Sequence, residues 1–378
     1  MIAKPSPRLR QLGLLAALLT LPGACGRPLH DRPQAVLVPS DELAATIAAL
    51  RPRRPRPVVA VVAANQGTET TDFLVPFVVL RASQAAEVVA VSSGPGAVML
   101  MPALKIEAQA TLAAFDARWP DGADYVVVPA LHDPDDPAVK AWVKRQQQRG
   151  AIIMGVCSGV RVLSGAGLLA GRAATGHWYD IDDLRRDNPT MRWMRNRRYV
   201  VDRGVVTTTG VTASIPASLA LVEAMAGPAR AGALAEQLGV SSWGPAHDSD
   251  AFRGRRGYVW TVVGNTLAVW GHDTFGLSVA DGVDEIALAL TADAYSRTYR
   301  SQAVVVAARP LKTRHGLTLI PDRATAEGTI LLPPLPSQQP ARALDTALAD
   351  LEQRYGPATA GWVARLVEYP RPRDDRSP

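Results

Sequence analysis

The stretch AIIMGVCSGVRVLSGAGLL, residues 151–169, decides how this chain is read. Its first six residues are apolar, the composition of a strand buried on both faces. A helix-like run follows directly from Ser158. Between them, Gly155-Val156-Cys157-Ser158-Gly159 sets a cysteine among small residues at a strand-to-helix turn, the layout of a nucleophile elbow with Cys in place of Ser. Such a turn brings neighbouring backbone very close, so flanking glycines are expected. It lifts the side chain to the carboxyl end of the sheet, where open α/β folds bind ligands. The helix N-terminus places N–H groups and positive potential beside the sulfur, which predicts a lowered thiol pKa. The N–H of Ser158 is placed to hold an oxyanion. The competing reading of Cys157 is an unpaired core cysteine, a common small apolar residue.

Outward from this stretch the pattern repeats. VVAVVAA (58–64), EVVAVSS (87–93), DYVVVPA (124–130) and VVTTTG (205–210) read as further strands. TDFLVPFVVLRAS (71–83), AVKAWVKRQQQRG (138–150) and SIPASLALVEAM (214–225) read as helices between or after them. Alternating apolar strands and helices predict an α/β fold, a doubly wound, flavodoxin-like parallel sheet. Before it, SDELAATIAAL from Ser40 reads as a short helix with Ser40 as N-cap, and RPRRPRP (51–57) as a stiff linker. After residue 228 the pattern weakens into a C-terminal α+β extension. GYVWTVVGNTLAVWG (257–271) predicts a hairpin turning at Gly264-Asn265, and VDEIALALTADAYSRTY (283–299) a helix. QAVVVAARPLKTRHGLTLIPD (302–322) faintly echoes EVVAVSSGPGAVMLMPALKIE (87–107), either as a degenerate second copy or as two unrelated pieces. The expected divisions are 1–25, 26–56, 57–228, 229–366, and a disordered tail at 367–378.

Composition narrows the class. The 378 residues are 47% hydrophobic and 20% charged, so the chain is not wholly disordered. Two cysteines exclude a disulfide scaffold and a cysteine-rich metal module. The net charge of +6 is mild for this length. The arginines of RRDNPTMRWMRNRR (185–198) read as a solvated loop offset by Asp180, Asp182, Asp183 and Asp187, and no nucleic-acid-binding motif accompanies them. At the N-terminus, Lys4, Arg8 and Arg10 precede the apolar run LGLLAALLTL and then LPGAC, the three-part layout of an export signal. Cys25 follows it as in a lipobox, except that Pro22 stands where Leu is usual. The expectation is a periplasmic or cell-envelope protein with Cys25 as lipid anchor, or a cytoplasmic one if this segment is not a signal.

GVCSGVRVLSGAGLLAGRAATGHW (155–178), TDFLVPFVVLRAS (71–83) and VVTTTGVTASIPASLALVEAM (205–225) together resemble the ThiJ/PfpI superfamily of class I glutamine-amidotransferase-like proteins. That superfamily includes the Parkinsonism-associated deglycase, isonitrile hydratases and the sensor domains of AraC-type regulators. The resemblance spans roughly residues 57 to 228. It implies Cys157 as nucleophile, Asp72 as the acid contacting the sulfur, Ser158 as the residue whose hydroxyl and N–H face the substrate, and His177 as the downstream histidine. The deglycase-like members use Glu where Asp72 stands, and isonitrile hydratases usually have Thr where Ser158 stands. No His-x-Glu follows the elbow, so the amidotransferase triad is not met.

Gly94, Ala130, His132 and Thr209 follow or end strands on the ligand side and are the expected pocket residues. His247 and His272, each followed by Asp, read as surface residues or as half of a metal site; no metal and no cofactor is expected. SSGPGAV (92–98) lacks phosphate-loop spacing and reads as a turn. Two functions follow. One is an exported enzyme that uses Cys157 on a small electrophile, with Asp72 moving protons. The other is a non-catalytic ligand- or redox-sensing module. A protease with its site between subunits is a weaker third. The expected partners are a small molecule, a lipid membrane through Cys25, and a second copy in a homodimer, with no nucleic acid.

Overall fold

The computed structural model describes residues 38–252, 257–267 and 271–370. The N-terminal segment expected to be an export signal, with Cys25, and residues 371–378 of the expected tail lie outside the described residues. The chain runs α1 (Ser40–Ala49), β1 (Val58–Ala63), α2 (Thr70–Ala82), β2 (Glu87–Ser92), β3 (Ala97–Met101), β4 (Lys105–Glu107), β5 (Ala110–Thr111), α3 (Leu112–Arg118) and β6 (Tyr125–Val128). It continues through α4 (Pro137–Gln148), β7 (Ile152–Gly155), α5 (Gly159–Gly165), α6 (Ile181–Asp187), β8 (Tyr199–Asp202), β9 (Val205–Thr208), α7 (Ser214–Ala226) and α8 (Pro228–Leu238). Then come α9 (Gly257–Leu267), β10 (Asp273–Ser278), α10 (Glu285–Ser296), β11 (Ser301–Val306), β12 (Leu311–Lys312), β13 (Thr318–Leu319), β14 (Ile330–Leu331), α11 (Ala343–Tyr355) and α12 (Pro357–Leu366).

The central sheet has the order β8-β9-β7-β6-β1-β2-β5, parallel except for the β8–β9 pair. This is the doubly wound α/β arrangement that the strand pattern predicts. Every residue of β1 is buried, as a strand covered by helices on both faces requires. One apolar core gathers α2, α7 and the inward side of β1 and β6. A second lies on the opposite face under α3, α4 and α5. The C-terminal extension adds a parallel sheet, β11-β10-β14, with α10 laid against α2. Its strand β13 also joins β4 antiparallel, so the two halves share the sheet β12-β13-β4-β3. No described helix is long and apolar enough to cross a membrane.

Four expectations change. Residues 257–267 form α9, not one arm of a hairpin. Gly264 has no left-handed φ, and Asn265 is buried, donating to the Thr298 carbonyl at 2.8 Å and to Thr359 at 3.2 Å. The Gly-Asn pair is therefore held by tertiary contacts in a helix, where a type I′ turn would need positive φ. Ser40 is the first helical residue of α1 and makes no cap; Pro39 occupies that position. Residues 367–370 do not begin a disordered tail, because Val367 and Glu368 are buried. RPRRPRP is docked rather than a spacer: Arg53 reaches the Ala123 carbonyl at 2.7 Å and Arg54 that of Gly122 at 2.6 Å. The second arginine cluster finds partners beyond the nearby aspartates. Arg197 makes a two-pronged pair with Glu42 at 2.7 and 2.8 Å, tying α1 to β8, and Arg195 pairs with Asp250.

Asp124 couples the docked segment to the sheet. Its buried carboxylate accepts the Val58 N–H at 2.9 Å and faces Arg54 at 3.5 Å. Asp124→Ala strands that buried N–H at the head of β1. It is expected to cost roughly 1–3 kcal/mol, read as a lower urea midpoint at unchanged slope.

Candidate active site

Val156 ends the run from β7 and Cys157 turns the chain into α5. Cys157 sits at φ +53°, a left-handed conformation uncommon for a residue with a side chain. Its N–H donates to Thr208 Oγ1 at 3.0 Å, so the end of β9 holds the turn. Gly159 is obligatory, and Gly155 is tightly hemmed in. A β-carbon on Gly159 would lie 2.1 Å from the Val128 carbonyl oxygen, and one on Gly155 would press Leu163 at 2.9 Å. The elbow thus follows from the close approach of β6 backbone to the first residue of α5, as the sequence predicts.

Beside the thiol lies a buried ionic cluster. Asp72, in the first turn of α2, is fully buried; its Oδ2 accepts the Ala130 N–H at 3.2 Å, and its Oδ1 has no hydrogen-bond partner. Glu69, the N-cap of α2, accepts from the Asp72 N–H and from the Thr71 hydroxyl. Arg297, arriving from the end of α10, binds Glu69 at 2.5 Å and Asp293 at 2.7 Å. Burial pushes the Asp72 carboxyl well above its ordinary value, and the Glu69 charge adds to that. Burial likewise pushes the Cys157 thiol up, with Asp72 and Glu69 reinforcing it and Arg297 opposing. The expected thiol acidification by the helix end is overridden: α5 is only seven residues long, and the sulfur is closed from water among carboxyls.

The other expected residues divide between two places. Ala130 joins the cysteine cluster through its bond to Asp72 and by accepting the Glu69 N–H at 2.8 Å. Ser158 donates its hydroxyl to Asp180, which Arg161 holds at 3.0 Å. Gly94 is bound by Asn65 in the loop after β2, and His132 is an exposed loop residue. His177 points to the C-terminal segment, its Nε2 3.0 Å from the Leu366 carbonyl. There Glu368 lies 3.1 Å from His247 Nε2 and 3.9 Å from His177 Nε2, and it accepts the Trp178 N–H at 3.0 Å. Burial alone would raise the Glu368 carboxyl; the bond from His247 and the two imidazoles outweigh it and hold the carboxyl low. Thr209 opens onto the same place, a cleft of about 590 Å³ lined by Trp178, Tyr179, Trp193, Thr209, His247 and Glu368. His272 lies apart, its Nε2 3.1 Å from the Asn265 carbonyl. Among the described residues no group of three His, Cys, Asp or Glu is arranged to hold a metal ion. Sequence reading missed Glu69, Asp293 and Arg297. The acidic Thr68-Glu69-Thr70-Thr71-Asp72 segment was the one available signal.

A parallel α/β sheet with a cysteine elbow at its carboxyl edge and a buried acid beside the thiol defines the class. Residues 58–224 match the DJ-1/PfpI family. The chain is 33% identical over 112 residues to the HTH-type transcriptional regulator CdhR of Pseudomonas aeruginosa, covering 30% of this chain and 33% of that protein. It is 33% identical over 94 residues to the isonitrile hydratase of Pseudomonas putida, covering 25% and 40%. The match thus spans only about a third to two fifths of these relatives' length. Among solved structures, Drosophila melanogaster DJ-1beta aligns over 49% of this chain and 99% of its own, at 22% identity and a TM-score of 0.45. A ThiJ/PfpI family protein from Pseudomonas syringae aligns over 48% and 74%, at 26% identity and a TM-score of 0.43.

The raised Asp72 pKa has a definite sign in stability. A carboxyl that titrates higher in the folded chain binds more protons folded than unfolded, so stability falls as pH rises from the ordinary carboxylate range toward the raised value. Asp72→Asn removes that term. The variant is expected to melt above wild type at neutral pH, with the gap closing below about pH 4, where Asp72 is protonated in both states. Thermal melts across pH check it.

Proposed function

We propose that this domain is a cysteine-dependent enzyme that adds Cys157 to a small electrophile and hydrates it. The observation that carries the reading is Cys157 held at positive φ on a glycine-flanked elbow beside Asp72, whose buried Oδ1 has no hydrogen-bond partner. Strained residues persist where surrounding structure fixes them, and a buried protonated acid next to a thiol is a proton donor in place.

An isonitrile, the substrate class in the name of one relative, illustrates the chemistry. Asp72 gives its proton to the terminal isonitrile carbon while the Cys157 sulfur bonds to that carbon. The thiol proton passes to the Asp72 carboxylate, leaving a thioimidate and a reprotonated acid. Water then adds at the same carbon, nitrogen takes a proton, and the C–S bond breaks to return the thiol. The sum is one isonitrile and one water giving one N-substituted formamide. The N–H of Ser158, the residue after the thiol, is the donor assigned to the charge that develops at the elbow. His177 takes no part in these steps, since its ring is committed to the Leu366 carbonyl.

A second reading has its own support. One relative is named a transcriptional regulator, and the Cys157 residue is only 7% exposed with its acidity suppressed, which suits a ligand-binding module without turnover. Purified full-length protein given a panel of isonitriles, aldehydes and activated carbonyls separates the two. Turnover that Cys157→Ala abolishes, and that Asp72→Asn lowers by roughly 100-fold or more, is the expected result. Ligand binding with no turnover in wild type would overturn the enzyme reading.

A further inference from the structure

The C-terminal extension retraces the start of the cysteine domain element by element. β1 starts at residue 58 and β10 at 273; α2 at 70 and α10 at 285; β2 at 87 and β11 at 301; β3 at 97 and β12 at 311; β4 at 105 and β13 at 318. The separations are 215, 215, 214, 214 and 213 residues. β10 runs parallel to β11 through six paired residues, as β1 does to β2. At the head of each helix an acidic side chain caps the same position: Glu69 accepts from the Asp72 N–H, and Asp284 from the N–H of Ala287, 215 residues on.

The two pieces meet about a two-fold axis. α2 packs on α10, and β4 pairs antiparallel with β13 so that Ile106 faces Leu319. At the 213-residue separation these are counterparts. A residue that pairs with its own counterpart lies on a dyad.

The chemistry on the two sides of that axis is unequal. The counterparts of Asp293 and Arg297 in the first piece are Val78 and Ala82, and the counterpart of Asp72 in the second is Ala287. The second piece has no cysteine elbow among its described residues. The Asp–Arg pair that crosses the axis therefore stands on one side only, where Arg297 binds Glu69 at the head of the helix that carries Asp72.

We propose that residues 273–332 are a degenerate second copy of the first half of the cysteine domain, docked about an internal two-fold axis, and that it supplies Arg297 as a positioning residue for Cys157. This rests on Cys157 being the reacting group. Arg297 is a fixed cation: its guanidinium is pinned by Glu69 and Asp293, so it sets the charge around the sulfur without touching a substrate. Its charge opposes the burial and the carboxyls that hold the thiol neutral. The face of α2 that a second chain would need for the same docking is covered by α10.

The test is thiolate absorbance near 240 nm against pH, measured on the full-length protein and taken as the difference from Cys157→Ala. It needs neither substrate nor reagent access, so it can fail while turnover holds, or hold while turnover fails. Arg297→Gln is expected to move the thiolate titration up by roughly one pH unit or more, and Arg297→Lys to restore much of it. Glu69→Gln removes a carboxylate and should move it down, which decides the matter if Arg297→Gln does not fold. Arg314→Gln breaks the 2.8 Å pair with Asp284 on the side without a thiol and should leave the titration in place. A folded Arg297→Gln or Glu69→Gln protein that titrates as wild type, or an equal shift in Arg314→Gln, overturns the proposal.

Discussion

The approach of Gly159 to the Val128 carbonyl is the constraint on which the site depends. With 2.1 Å available for a β-carbon, only glycine fits, and the chain can turn from β7 into α5 only by bending sharply at the residue before Ser158. That puts Cys157 at φ +53° and leaves its N–H to be satisfied from outside the local segment, which Thr208 does from the neighbouring strand. The parallel pairing of β6, β7 and β9 is therefore what fixes the position of the sulfur, and a slip in any one of them would move it.

What surrounds the sulfur is an imbalance of charge. Asp72, Glu69 and Asp293 crowd one guanidinium in a space closed to water. A single cation cannot stabilise three buried carboxylates, so the least compensated groups hold protons instead. Asp72 and Asp293 are both pushed upward for this reason, burial first and Glu69 next among the charges that raise them. The arrangement costs stability at neutral pH and keeps a proton within the cluster that surrounds the thiol. A helix end beside an exposed sulfur would have acted the other way; burial among carboxyls is why the expected low thiol pKa is absent.

The parts of this structure legible in the sequence are those whose causes are local. Runs such as VVAVVA and YVVV declare buried parallel strands, and Gly155 and Gly159 declare the elbow, because the pattern and the constraint lie within a few residues. Asp72 was legible by resemblance, through its place four before Pro76. Arg297 was not: its partner Glu69 is 228 residues away, and nothing near Arg297 marks it as different from other surface-forming arginines. A comparable distance hid the place of Glu368, which meets Trp178 across 190 residues and lies beside His177 in a C-terminal strap that composition presents as a tail. The segment at 257–267 misled for a related reason. Gly-Asn favours a turn only when nothing else claims the asparagine, and here Thr298 and Thr359 do.

The unequal distribution of groups about the internal axis bears on how such a chain could keep a single site. Two identical copies would carry the Asp–Arg pair on both helices and an acid at the third position of both, beyond the acidic caps they already share. In this chain the first piece has Val78 and Ala82 where the second has Asp293 and Arg297, and the second has Ala287 where the first has Asp72. On the second side the buried Glu285 is answered by His315 at 2.7 Å and Asp284 by Arg314, contacts that satisfy each carboxylate locally and leave no orphaned oxygen. The buried carboxylates are therefore satisfied on one side and left short on the other. The unresolved side is the one with Cys157, where Asp72 keeps a buried oxygen without a hydrogen-bond partner.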